Sequence, residues 1–276
     1  MTHRLLSAIS DELDRRGHLA GSRLDGVTVG ESAVLVEVTD ETGSGAEPSA
    51  GLAHRPPGEV PELGETVESL LAPVRSAGAG DESTERSADR IALAAGVATL
   101  NALSAPHVDW RTGDPMALLD ESVETVVTVG LFRPAFRKFD DVAVRVVERT
   151  PVGDVSTPEG VSLRTFDPEE TSAAMAGAEV VFITGSTLVY GGLERYLAAA
   201  PDDAAVVVVG ATASGLPGPL FDAGADVIAG AHVAAPDRVR AAVADGDCGT
   251  ALHDRGVRKV YAAREPPSTI RLRSTP

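Results

Sequence analysis

Between Glu124 and Pro151 the chain reads ETVVTVGLFRPAFRKFDDVAVRVVERTP, two β-branched runs separated by a glycine turn and a short connector. Val126, Val127 and Val129 form the first run, which stops at Gly130. Val142, Val144, Val146 and Val147 form the second, which stops at Glu148. This pattern predicts the opening of a nucleotide-binding-like α/β unit. Further strands are predicted at Glu179 to Ile183, Ala204 to Val209, Val227 to Ala229 and Lys259 to Ala262. Helix signals fall between them. Asp167-Pro168-Glu169-Glu170 supplies a cap, a first-turn proline and acidic residues, Leu193 to Ala199 is amphipathic, and Pro236 opens a helix to Val243. Strand and helix in alternation predict a parallel sheet with right-handed crossovers, a Rossmann-like three-layer domain over residues 113–276.

The first half has a different rhythm. Leu5, Leu6, Ile9 and Leu13 stand at helical spacing with charges between them, which predicts an amphipathic first helix. Gly26 to Val29 and Ala33 to Val38 around Gly30-Glu31 predict a hairpin, and GLAHRP a third strand after the polar loop ETGSGAEPSAG. Thr66 caps a short helix through Leu71, and SAGAGDES reads as a surface loop rather than a phosphate cradle, because no strand precedes it. Ser87 caps ADRIALAAGVATLNALSA, which is apolar nearly all round and therefore a buried helix. Asn101 within it needs hydrogen-bond partners, either in the fold or in a ligand. These elements predict an α+β domain over residues 1–112. HVDWRTGDP then reads as a linker before a helix start at Asp114-Pro115, with Trp110 packing between the domains.

Composition narrows the setting. At 276 residues and 43% hydrophobic, the chain can fill two cores. Its formal charge is −17, so a phosphate backbone or an anionic membrane would be repelled by most of the surface, which argues against nucleic acid or membrane partners. Lys138 and Lys259 are the only lysines, arginine supplying the rest of the basic residues. Scarce lysine with abundant Asp and Glu predicts a halophilic, acidic protein whose carboxylates keep the surface hydrated in a salt-rich cytoplasm. Cys248 is the only cysteine, so no intrachain disulfide forms, and no apolar run reaches signal-peptide or membrane length. The expectation is a cytoplasmic protein with a small-molecule partner. A homodimer is expected from the apolar C-terminal helices.

Candidate chemistry gathers at the predicted strand ends. The first is Gly130-Leu131-Phe132-Arg133-Pro134, the second Glu148, the third Thr184-Gly185-Ser186-Thr187, and the fourth Gly210-Ala211-Thr212. In open parallel sheets ligands lodge where strands end, and amides beside glycine with Thr and Ser hydroxyls can hold a phosphate or carboxylate. Glu148 stands where nucleotide folds bind ribose hydroxyls, or bridges Arg149 or Arg145. Arg133 can meet an anion, and Phe132 can stack a ring. The turn lacks G-x-G-x-x-G spacing, and there is no Walker lysine, G-x-S-x-G or S-x-x-K. The six histidines show no H-x-x-x-H or H-x-H spacing, so no metal site is predicted from ligand spacing.

VGLFRPAF, VVERTPVGD, AEVVFITGSTLV, VVVVGATASGLPGPLF and DVIAGAHVAAPDRV resemble the Rossmann-like domain of a family labelled "putative heavy-metal chelation". GLAHRP and SADRIALAAGVATLNAL resemble that family's N-terminal domain, of enolase N-terminal-like fold. The resemblance implies an interdomain cleft taking a small heterocyclic or metal-chelating compound. It places Gly130, Phe132, Pro134, Glu148 and Thr184 to Thr187 at the site, with Asn101 facing them, while Arg133 and Tyr190-Gly191-Gly192 depart from the expected motifs. Three functional readings follow: an enzyme acting on a small anionic or heterocyclic metabolite, a binding protein for a metal-chelate or nucleotide-like ligand, and a structural or regulatory protein.

Overall fold

A computed structural model describes residues 2–41, 48–76 and 87–272. The segment 77–86, holding most of the SAGAGDES loop, and residues 42–47 lie outside this description. In the first half, α1 (Thr2–Arg15) is followed by a meander of β1 (Ser22–Val29), β2 (Ala33–Asp40) and β3 (Pro48–His54), then by α2 (Val67–Ser76) and α3 (Ser87–Ser104). The strands form an antiparallel sheet in the order β1-β2-β3. Thr66 caps α2 as its chemistry suggests, its hydroxyl accepting from the Ser69 amide. The apolar stripe of α1 is fully used, with Leu5, Leu6, Ile9 and Leu13 all buried. Each such side chain contributes roughly 1.5–3 kcal/mol of burial.

The second half builds an eight-stranded sheet. Its strands are β4 (Arg111–Thr112), β5 (Thr125–Val129), β6 (Ala143–Val147), β7 (Ser162–Phe166), β8 (Val180–Thr184), β9 (Ala205–Val209), β10 (Val227–Val233) and β11 (Val257–Ala263). The helices between them are short: α4 (Arg133–Phe136), α5 (Thr171–Met175), α6 (Thr187–Tyr190), α7 (Leu193–Ala199), α8 (Gly218–Asp222), α9 (Pro236–Ala244) and α10 (Ala251–Asp254). The sheet order is β4-β11-β10-β9-β8-β5-β6-β7. Its run from β7 to β10 is parallel and, counted from β5, follows the 3-2-1-4-5-6 order of doubly wound nucleotide-binding sheets. The fold is thus α/β with a large, mainly parallel sheet.

Three expectations need correction. The last strand is antiparallel to β10, because α9 and α10 return the chain to the end of the sheet it had just left, pairing Val233 with Val257. The supposed linker contributes β4, which pairs with β11 through Arg111 and Thr112. At Asp114-Pro115 the cap forms, Asp114 accepting from the Met116 amide, but only a single 3-10 turn follows.

Three apolar clusters fill the spaces between layers. One joins α1, α2 and α3 with one face of β2 and with one face of the large sheet, through residues such as Val127, Val181, Ile183 and Val208. Trp110 packs at its margin. A second covers the opposite face of the large sheet, where Phe136, Phe139 and Phe182 pack together. The third packs Leu35 and Leu52, from the other face of the small sheet, against Val239 and Val243 of α9. The small sheet is therefore clasped by its own helices on one side and by α9 on the other. A bidentate pair, Arg240 on Glu37 with both N–O distances 2.6 Å, fastens α9 to β2.

Candidate functional site

The large sheet changes direction between β5 and β8: the chain passes from β5 outward to β6, while β8 leads the other way to β9. Crevices at such switch points, beyond the carboxyl ends of the strands, are where doubly wound sheets bind ligands. Gly130 ends β5 with φ +98°, and a Cβ there would lie 3.0 Å from Thr184 Cγ2. Both the turn and the close approach of the two strand ends therefore require glycine.

A cleft of about 650 Å³ opens over these strand ends. The end of β3 contributes Leu52, Ala53 and His54 to its lining. Of the residues singled out from sequence, Phe132, Pro134, Thr184, Ser186, Gly210 and Thr212 line it. Gly130, Arg133, Glu148, Gly185, Thr187 and Asn101 lie outside the lining, and their bonds show why. The amides of Gly130, Gly185 and Gly210 donate to the carbonyls of Val147, Val209 and Ala229, extending the sheet by one more rung each. These three amides are spent within the fold. Thr187 turns its hydroxyl back to the Thr184 carbonyl at 2.6 Å. The Thr184 and Ser186 hydroxyls, 3.0 Å apart, are the pair left at the cleft wall.

Glu148 acts on the turn rather than on the cleft, accepting from the amides of Leu131 at 3.2 Å and Arg149 at 2.8 Å. Arg145 and Arg149 use their guanidinium groups elsewhere. Arg145 donates to the carbonyls of Ala174 and Ala176, and the Arg149 guanidinium sits 4.1 Å above the Tyr190 ring. Arg133 is exposed and reaches the Asp154 carbonyl. Asn101 is 2% exposed, and its Nδ2 donates to the carbonyls of Leu52, Ala211 and Thr212. It is a clamp between β3 and the turn after β9.

Two groupings were invisible along the chain. In the first, His54 Nε2 meets the Tyr190 hydroxyl at 3.1 Å, and the His54 amide donates to Thr212 Oγ1 at 2.9 Å. Burial, and then the Arg149 charge, push the His54 pKa down. A neutral imidazole on a phenol can pass a proton in either direction. In the second, the chain's only two lysines converge on one carboxylate. Lys259 Nζ lies 2.6 Å from Asp114 Oδ2, and Lys138 Nζ reaches the same oxygen. Burial works to raise the Asp114 pKa, yet hydrogen bonds from Lys138 and Lys259 hold it below the ordinary carboxylate value. All three residues line the cleft. Two cations on one anion leave a local positive charge, unusual on a chain of net charge −17.

The sequence profile of the family described as "Putative heavy-metal chelation", DUF364, matches residues 114–262. The chain belongs to this family. Among solved structures, a DUF364 protein of unknown function from Pyrococcus horikoshii is similar at 20% identity, with a TM-score of 0.72, covering 94% of this chain and 99% of that one. A second DUF364 protein of unknown function, from Desulfitobacterium hafniense DCB-2, is similar at 17% identity, with a TM-score of 0.64 and the same coverage. At these identities the likeness shows a shared fold over nearly the whole of both chains. No curated protein matches. The DUF364 match begins at Asp114, the carboxylate on which both lysines meet, and ends just after Tyr261. His54 lies ahead of it.

Proposed function

We propose that the chain is divided near residue 112 into two domains, and that the cleft between them binds a small anionic metabolite with a flat or apolar body. The convergence of Lys138 and Lys259 on Asp114 carries this reading. In a protein that otherwise uses arginine for positive charge, both compact ammonium groups stand together on a cleft wall. A second anion displacing part of their interaction with Asp114 gains charge-assisted hydrogen bonds. Phe132, Leu52 and Met116 offer apolar surface for the body of the ligand, and the Thr184 and Ser186 hydroxyls offer further hydrogen bonds. His54, which lines the same cleft and meets the Tyr190 hydroxyl behind it, supports an enzyme that moves a proton on the bound compound, with His54 as the exchanging group. An anionic heterocycle able to chelate a metal fits this description, which agrees with the family's label.

A panel of small aromatic carboxylates and phosphates, screened by native mass spectrometry and then by calorimetry, tests the proposal. Changing both lysines to methionine is expected to weaken binding of any hit at least tenfold, since one charge-assisted hydrogen bond contributes about 1.5–3 kcal/mol. His54→Gln is expected to leave that binding within threefold and to lower turnover about a hundredfold. Binding that survives loss of both lysines sinks the anion subsite. Binding without turnover in the unaltered protein assigns it to the carriers instead of the enzymes.

A further inference from the structure

A second constellation lies away from the cleft, where the end of α1, the end of β2 and the turn after α3 meet. His18, Asp40 and His107 each offer a ligand atom there, and all three atoms lie within 4.8 Å of one another. Each residue is fixed by its backbone. Gly17, at φ +79°, closes α1 so that the His18 amide reaches back to the Leu13 carbonyl, and the His18 carbonyl accepts from the Ser22 hydroxyl at 2.7 Å. Asp40 is held in the sheet opposite Ser22. His107 ends the 3-10 turn Ala105–His107, whose φ is constrained by Pro106. The three donors are thus brought together by tertiary structure across 89 positions of sequence, counting from 18 to 107.

The imidazoles lie face to face, with centroids 3.4 Å apart and planes 13° apart. Metal ions are ligated by imidazole in its neutral form, through either ring nitrogen. We propose that His18, Asp40 and His107 bind one divalent transition-metal ion of borderline softness, with Zn²⁺ as the type, at a site separate from the cleft. Two imidazoles and one carboxylate make a donor set preferred by such ions over Mg²⁺ or Ca²⁺. Ordinary metal–ligand lengths of about 2.0–2.2 Å bring ligand atoms to roughly 3.4 Å of one another, so the side chains must close and the rings must turn to aim their lone pairs at one point. All three are only half-buried, which leaves their side-chain torsions that freedom. Arg16 stands near His107 and is drawn off by Glu12, which accepts from its Nε at 2.6 Å. Three protein donors leave further positions for water or an outside ligand. The ion would tie α1 and the turn before β4 to the small sheet.

The test uses full-length protein prepared without a histidine tag, stripped with chelator and titrated with Zn²⁺ by calorimetry and with Co²⁺ by visible absorbance. One equivalent is expected to bind, with Co²⁺ ligand-field bands, and binding is expected to protect His18 and His107 from diethyl pyrocarbonate. His18→Ala, His107→Ala and Asp40→Asn should each weaken Zn²⁺ binding at least tenfold, while Cys248→Ser and His253→Ala leave it unchanged. The modification readout needs no variant, so a misfolded mutant cannot leave the question open. No stoichiometric uptake, no protection of these two histidines, or full affinity in the His18→Ala/His107→Ala double variant overturns the proposal.

Discussion

Asn101 shows how one side chain can hold a cleft without touching its contents. Its single amide nitrogen joins a carbonyl of β3 to two carbonyls of the turn after β9, deep inside the molecule. Asn101→Ala strands buried acceptors and opens a small void, and it is expected to lower stability by about 3 kcal/mol. A denaturation midpoint nearly equal to that of the unaltered protein would refute the clamp. His54 gives a second expectation at this scale. Its native pKa is lowered from 6.5, by burial first and the Arg149 charge second. The unfolded chain therefore takes up the proton at higher pH than the native protein does. Stability contributed by neutral His54 is complete above about 6.5 and is lost as pH falls through the lower native value. Unfolding midpoints should drop on acidification below that pH, and His54→Gln should flatten the drop. His107 and His232, also lowered mainly by burial, and at lower pH the carboxylate of Asp114, contribute to the part that remains. From the sequence, Asn101 could be recognised as needing partners, but which carbonyls it would find depends on chain segments about 50 and 110 positions away.

At the scale of elements, β5, β8 and β9 were legible because they are almost wholly buried and read as near-continuous, mostly β-branched apolar runs, and β6 because Val144, Val146 and Val147 stand around Arg145. The edge strand β7 was not: SLRTF is mostly exposed and mixes Arg164 with Leu163 and Phe166, so it lacks that signature. β11 was recognised as a strand, but its direction is set by how α9 and α10 turn, which periodicity does not encode. β3 packs closely on α3. A Cβ at Gly51 would lie 2.2 Å from the Ala98 carbonyl oxygen and 2.3 Å from the Ala102 amide nitrogen, both backbone atoms that cannot step aside. Gly51→Ala should push α3 off the small sheet and cost roughly 3 kcal/mol or more. A crystal structure or melting curve unchanged by that methyl group would show the contact to be looser than described. Arg240→Met, which leaves the buried Glu37 carboxylate without its partner, should lower the melting temperature, whereas Arg240→Met with Glu37→Leu should recover much of the loss.

For the molecule as a whole, net charge predicts behaviour more directly than fold does. A formal charge of −17 makes the native state repel itself, and added salt screens that repulsion. Melting temperature should rise between dilute buffer and molar KCl, and an unchanged temperature would remove the basis for calling the chain halophilic. Six of the residues chosen at the predicted strand ends line the cleft. The groups with most chemistry escaped. His54 and Tyr190 stand 136 positions apart, and Lys259 and Asp114 145 apart, so no local pattern could join them. The sequence does display the rarity of lysine, which on its own reads only as a mark of a salt-rich surrounding. That rarity has a practical consequence. Apart from the α-amino group, the protein presents primary amines only at Lys138 and Lys259, both on the cleft wall. An acylating reagent selective for amines, such as an N-hydroxysuccinimide ester, therefore reads the cleft and almost nothing else. Peptide mass mapping of the acylated protein becomes an occupancy assay requiring no mutation, in which any compound that seats itself against the two ammonium groups announces itself by the label they fail to take up.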